Sequence, residues 1–453
     1  MKTGKTANPV AASPDVPQMI DLLIHARWII PIQPAGITLE NHSLAVNDGR
    51  IVGLLPRNES ETRFSAAEVV ELGQHVLTPG FVNLHTHAAM TLLRGLADDL
   101  PLMNWLQDRI WPAEAKHVTD AFVYDGTRLA AAEMLRGGIT CCNDMYFFPD
   151  AAARAFDAMG MRAMLGITVL EFPTRYASDA NDYLSKGLAV RDAWRDHPLL
   201  SFSLAPHAPY TVSDTTFERI ATLAAQLDLP VHIHVHESRN EIEEGQKQSG
   251  MRPLARLDRL GLVNPALIAV HAVHLDTTDL ALLASTGASV AHNPTSNMKL
   301  ASGACPVAKL VAQGINVGLG TDGAASNNRL DILQEMRHAA LLAKLTADDP
   351  TVLDAHTVLG MATLGGAKAM GLADEIGSLE IGKYADLCAI RLDEWIAQPC
   401  FDPASHLIYV AGREQVSHVW VAGQCRVKAH TLIDFNESAL LGTVNLWQNN
   451  LQV

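Results

Sequence analysis

The sequence predicts an α/β fold: a (β/α)8 TIM barrel with a small β-sandwich domain built from both chain ends. Three observations lead there. Apolar strand-like runs alternate with helical stretches eight times through the middle of the chain. The two ends share a different, β-rich texture. Histidines and carboxylates recur where the barrel strands end, the rim at which this architecture carries its sites.

The opening "MKTGKTANPVAASPDVPQ" has no apolar stretch of the kind a secretory signal needs, and its Pro/Ala/Ser content reads as a loose tail over residues 1–17. From 18 to 78 short strands dominate. "LLIHARWIIPI" and "SLAVNDGRIVGLLP" are apolar and β-rich, the second folded about Asp48-Gly49, a favoured hairpin pair. The same texture returns over 377–453, in "GSLEIGKYADLCAIRL" and in "SHVWVAGQCRV" with its turn at Ala422-Gly423. Packed together, these ends make the small domain and leave 79–376 for the barrel. Its strands are read from "VLTPGFVNLHTHA", "GITCCNDMYF", "MRAMLGITVL", "LSFSLAPHAPY", "PVHIHVHES", "ALIAVHAVHL", "GASVAHNPTSN" and "NVGLGTDGAAS". Between them, "TDAFVYDGTRLAAAEMLRGG" is a helix closed by Gly137-Gly138, and "SDTTFERIATLAAQLD" is one opened by Ser213 as N-cap.

Bulk properties exclude several classes. A chain of 453 residues suits one large domain with a smaller companion, and 48% hydrophobic against 18% charged residues describes an ordinary soluble protein. A net charge of −15 argues against nucleic acid as a partner, since phosphate backbones need a basic surface. No run of eighteen apolar residues predicts a membrane span. The six cysteines include no C-x-x-C pair and read as reduced thiols of a cytoplasmic protein. The apolar β ends leave a homo-oligomer open.

The chemistry gathers at strand ends. His85 and His87 close the first strand and, two residues apart, share a face. Alone, such a pair reads first as mouth or surface histidines. On the fifth strand His232, His234 and His236 share a face by alternation: His232 deepest, a satisfied core histidine; His234 at mid-height, the choice for a third ligand; His236 near the rim. Glu237 has the wrong parity to face inward unless the strand has ended and the chain turns there. On the sixth strand His271 and His274, three apart, cannot share a face. The eighth strand reads "GLGTDGAASNN", with Gly318, Gly320 and Asp322 on one side; two glycines below an aspartate predict a close approach by something beneath it. Three imidazoles and a carboxylate at one rim suit one divalent ion, zinc foremost, with a position left for water; iron or manganese fit nearly as well.

Those residues carry a resemblance. "HTH" (85–87), "HIHVHES", "VHAVHL", "GTDGAASNN" and the returning "GSLEIGKYADL" resemble the amidohydrolase superfamily. Within it, "HNPTSNMKLASG", "TDGAASNNRLDILQEMRHAALL", "RIWPAEAKH" and "LAPHAPYTVS" are similar to the 5′-methylthioadenosine/S-adenosylhomocysteine deaminases. The resemblance implies that His85, His87, His234 and Asp322 hold the metal and that Glu237, His271 and Asp322 handle protons. Glu114 would bind ribose hydroxyls and His207 the purine edge, with Glu237, Asp322 and Ser326 as further substrate contacts. "LAPHAPY" has no lysine to bridge a second metal, so one ion is expected. The implied reaction is hydrolytic deamination of adenine in a small nucleoside. Arg175 is the only arginine in "LGITVLEFPTRYASDANDYL", where two would grip the amino-acid carboxylate of S-adenosylhomocysteine. This favours 5′-methylthioadenosine, with Leu102, Met103 and Trp105 as an apolar seat for its 5′ end. The competing readings are a guanine deaminase or triazine chlorohydrolase type of the same superfamily, whose substrates lack the ribose that Glu114 would hold, and a catalytically silent nucleoside-binding barrel.

Overall fold

The computed structural model describes residues 17–452, so the tail expected over 1–17 lies outside the described residues apart from Pro17. Sixteen strands follow in order: β1 (Gln18–Ile29), β2 (Leu39–Asn47), β3 (Arg50–Pro56), β4 (Phe64–Pro79), β5 (Phe81–Thr86), β6 (Ile139–Tyr146), β7 (Arg162–Val169) and β8 (Leu200–Pro206), then β9 (Val231–Val235), β10 (Leu267–His271), β11 (Ser289–His292), β12 (Val317–Leu319), β13 (Leu387–Arg391), β14 (Val416–Val421), β15 (Gln424–Lys428) and β16 (Thr431–Leu432). They make two hydrogen-bonded sheets of eight strands each.

β5 to β12 form the parallel barrel in sequence order, one strand for each predicted run. Seven of them are buried at every residue and β8 at all but Ser201, which fits strands covered by helices outside and by packed side chains inside. Among the described residues no ladder pairs β12 with β5. A side chain closes the seam instead. The Asn83 amide donates to the Thr321 hydroxyl (2.8 Å) and accepts from the Thr321 N–H (2.9 Å). Just above, the Asp322 N–H donates to the His85 carbonyl (2.9 Å). The close approach predicted from the glycines is real: a Cβ on Gly318 would stand 2.6 Å from Leu84, and one on Gly320 would run into the Asn293 side-chain oxygen Oδ1 and stand 2.9 Å from the His85 Cβ.

The other sheet runs β16-β15-β14-β13-β4-β1-β2-β3, drawing on both chain ends as expected, in one continuous set of ladders. β4 is its centre: parallel to β1, antiparallel to β13, and running straight into the first barrel strand through Pro79-Gly80. Both predicted hairpins form. Asp48, Gly49, Ala422 and Gly423 all have positive φ, and the two turns abut so tightly that a Cβ on Gly49 would stand 2.6 Å from the Ala422 carbonyl oxygen. A buried ion pair joins this sheet to the barrel: Arg162 of β7 donates to both oxygens of Asp386 (3.0 and 3.2 Å), and Asp386 also accepts the Ala422 N–H (2.7 Å).

One boundary needs correcting. Residues 377–453 were expected to belong wholly to the small β domain, yet Glu437–Leu451 is a helix capped by Asn436 that packs on the barrel. Its Trp447 donates to Asp125 (2.8 Å) and lies edge-on to Phe122 at 5.3 Å, both on the barrel helix Asp120–Arg136. Pro403–Tyr409 likewise packs on the barrel helices Ile332–Ala347 and Ala355–Gly360. Local texture reveals strands but not which neighbour a later helix covers. No described helix is long and apolar enough to cross a membrane, and all six cysteines are free thiols.

Candidate active site

Four of the predicted residues converge at the barrel rim. His85 Nε2 lies 3.3 Å from both His234 Nε2 and Asp322 Oδ1, and His87 Nε2 lies 3.3 Å from the same Asp322 oxygen. Around a tetrahedral metal with ligand distances of about 2.0–2.1 Å, donor atoms stand roughly 3.3 Å apart. The hydrogen bonds of the outer nitrogens explain why this arrangement calls for a cation. His234 Nδ1 faces the His207 carbonyl (2.7 Å) and His87 Nδ1 the Met145 carbonyl (2.6 Å). A carbonyl only accepts, so each Nδ1 carries the proton and each Nε2 turns a lone pair inward. His85 Nδ1 is held by His232 Nε2 (3.0 Å). Burial drives the His234 pKa well down, keeping that ring neutral. Burial alone would raise Asp322, but the His85 hydrogen bond and the neighbouring histidines hold it well below the usual carboxylate range. Converging lone pairs and a carboxylate repel one another unless a positive ion sits between them. His85, His87 and Asp322 offer ligand atoms within 4.8 Å of one another, as do His85, His234 and His271, and because the two groups share His85 the cluster suits one divalent metal.

Backbone strain aims the remaining groups. β9 ends at Val235 and His236 takes φ 58°, so the chain does turn there and brings Glu237 inward. His236 therefore leaves the shared face, correcting the rim position expected for it. It is fully buried outside the barrel lumen, its Nε2 accepting the Leu254 N–H (3.1 Å) and its Nδ1 3.5 Å from Asp279. Asp322 also owes its direction to a left-handed residue (φ 62°) beyond the end of β12, not to strand alternation. His271 ends β10 with φ 70°; its Nδ1 is fixed by Asn297 Oδ1 (2.9 Å) and its Nε2 is 3.8 Å from Glu237. Burial raises the Glu237 pKa, the direction a proton donor needs.

A cavity of about 450 Å³ opens above these residues. Glu114 and His207 line it, with Leu102, Trp105 and Arg175 further out. Glu114 accepts the Tyr146 hydroxyl (2.7 Å), and burial pushes its pKa up to about 7. Burial takes His207 down to about 3, so its imidazole is neutral at physiological pH. Arg175 Nη1 donates to the Lys116 carbonyl (2.6 Å). Two expected contacts are absent from the wall: Met103 does not line the cavity, and Ser326 is buried with its hydroxyl donating to the Gly323 carbonyl (3.1 Å). The helical turn at Gly323–Ser326 rolls that hydroxyl back onto its own backbone.

Sequence reasoning missed the supporting groups. Ser296 donates to Asp322 Oδ2 (2.7 Å). Glu241 accepts the N–H groups of His236 and Glu237 (2.8 and 2.9 Å), pinning the turn that delivers Glu237. Asp144 accepts the Ala88 N–H (2.7 Å) just after His87. Their one signal in the sequence was a polar residue near a strand end, which many loops share.

A model of the amidohydrolase family matches residues 76–426. The chain belongs to the amidohydrolase family. A Teredinibacter turnerae protein named 5-methylthioadenosine/S-adenosylhomocysteine deaminase is 46% identical over 95% of this chain and 98% of its own length. A Syntrophobacter fumaroxidans protein of the same name is 42% identical over 94% and 97%. Among solved structures, an adenosine deaminase from Xanthomonas campestris with bound zinc is 50% identical, with a TM-score of 0.95 over 96% of this chain and all of that one. The zinc-complexed atrazine chlorohydrolase of Arthrobacter aurescens, at 23% identity and TM-score 0.88, shares the fold.

Proposed function

We propose that the protein deaminates the adenine ring of 5′-methylthioadenosine hydrolytically, giving 5′-methylthioinosine and ammonia, with S-adenosylhomocysteine and adenosine as weaker substrates. One observation carries the reading: Glu237 is turned by a strained residue into a nucleoside-sized cavity, beside His271 and above a four-donor cation site. The names and identities of the relatives support it, and the zinc of the Xanthomonas neighbour makes zinc the metal of choice.

A divalent ion held by His85, His87, His234 and Asp322 would lower the pKa of water to about 7 and so supply hydroxide at neutral pH. Glu237, its pKa raised by burial, holds a proton for N1 of the adenine and passes one to the departing amino group. His271, oriented by Asn297, and Asp322, oriented by Ser296, line the attacking water and take up its proton. Oxygen from water replaces the C6 amino group, which leaves as ammonia. Glu114 accepts the ribose hydroxyls and the neutral His207 meets the purine edge. Leu102, Trp105, Phe172 and Tyr176 give an apolar outer wall suited to a methylthio group, and Arg175 is the lone cation among the lining residues.

Two measurements test this. Ammonia release across the three nucleosides should give the highest kcat/KM with 5′-methylthioadenosine; a large preference for S-adenosylhomocysteine would overturn that order. Glu237→Gln should lower kcat by about 10²–10⁴-fold while zinc content is kept. Full turnover with zinc bound would remove Glu237 from the chemistry.

A further inference from the structure

The β11–β12 ladder stops at the pair His292–Leu319, short of the rim. Beyond it two segments continue side by side: the short helix Pro294–Lys299, which supplies Ser296 to Asp322 and Asn297 to His271, and the loop 321–328, which supplies Asp322 itself. No backbone ladder holds these segments in register among the described residues.

One side chain spans them from behind. Glu335, on the helix Ile332–Ala347 and fully buried, accepts the Thr295 N–H with one oxygen (3.1 Å) and the Asn327 amide with the other (2.8 Å). The same Asn327 nitrogen donates to the Thr321 carbonyl (2.7 Å), one residue before Asp322. The other buried residues of this helix are apolar: Ile332, Leu333, Met336, Ala339, Ala340 and Ala343. Burial pushes the Glu335 pKa up to about 8, so the carboxyl is costly to place here, a cost that its two accepted hydrogen bonds offset. Both of its oxygens are engaged by the two segments that carry Ser296 and Asp322.

We propose that Glu335 is a positioning residue that sets Ser296 and Asp322 at the metal site by tying the Pro294–Lys299 helix to the 321–328 loop, an inference that rests on reading Asp322 as a metal ligand. It is not among the residues that line the cavity, and its hydrogen bonds go to Thr295 and Asn327, through which it acts. Groups that orient metal ligands are typically worth about 10–100-fold in metal affinity or activity.

The test measures zinc loss from the loaded enzyme to a chelator, with kcat and KM for 5′-methylthioadenosine alongside, in E335Q, N327S and D322N. In E335Q the amide N–H opposes one of the two donors. Zinc loss should be about 10–100-fold faster and kcat lower by a similar factor, with KM little changed. A folded E335Q that matches the native enzyme in zinc loss and kcat overturns the proposal. Should E335Q not fold, N327S decides by the same criterion, because it cuts the tie to Thr321 and leaves Glu335 on Thr295. If D322N keeps zinc as firmly as the native chain, the ligand reading falls and this inference with it; if D322N loses zinc while E335Q and N327S do not, the inference alone fails.

Discussion

Glu114 shows how one side chain's surroundings set its use. Its carboxyl is pushed up to about 7 by burial, against the lowering effect of the Tyr146 hydroxyl. Below that value it is a neutral acid; above it, a carboxylate able to accept two hydroxyl hydrogen bonds at once. For ribonucleosides kcat/KM should therefore rise as pH increases through about 7, and Glu114→Gln should flatten that limb while lowering kcat/KM throughout. A pH profile of both proteins checks this. Stability runs the opposite way. Because the folded-state pKa lies above the ordinary glutamate value, the group favours the folded state fully below that ordinary value and gives this up as pH rises through about 7. Residue identity was legible from sequence for the convergent set His85, His87, His234, Glu237, His271 and Asp322, because each is a reactive type at a strand end. Side-chain direction was less legible. His236 follows from strand parity only if the strand continues, and its φ of 58° breaks the parity. The same kind of residue rescues Glu237 and Asp322, one by a turn before it and one by its own left-handed backbone.

At the scale of elements, eight barrel strands were readable because short apolar runs alternate with helices whose ends are marked: the predicted cap Ser213 does accept the Thr216 N–H, and the structure adds Thr119, which accepts the Phe122 N–H. The glycines of the last strand were readable as a demand for space. That demand predicts Gly320→Ala. The new methyl would meet Asn293 and His85 together, neither able to retreat without disturbing His271 or the metal set. Destabilisation of about 1–3 kcal/mol is expected from overpacking, with zinc content reduced, measured by denaturant unfolding and metal analysis. What the sequence hid are pairings between distant segments. Ser296 with Asp322 and Asn297 with His271 each reach 26 positions along the chain from the short helix Pro294–Lys299, and the contact of Glu241 with the His236–Glu237 turn, though local, is equally unannounced by any periodicity. The C-terminal helix was hidden for a related reason: its own pattern fits a helix, but the surface it covers belongs to residues 120–136.

For the whole molecule, the outer sheet is bound to the barrel through Arg162 and Asp386, whose side chains are only 7% and 2% exposed. Removing one partner leaves the other charge buried and unpaired. Asp386→Ala should cost about 3–5 kcal/mol, read as a lowered unfolding midpoint, while the folded remainder keeps its zinc because the pair belongs to the junction with the outer sheet. A different consequence follows from the seam between β5 and β12. There the first and last staves of the barrel meet through Asn83 and Thr321, 238 positions apart, and the proposed metal donors straddle the same join. A nascent polypeptide that has not yet delivered Asp322 holds an incomplete set of donors, however well its earlier strands are formed. The full donor set therefore exists only once the last barrel strand has closed against the first, as the act that hoops the cask.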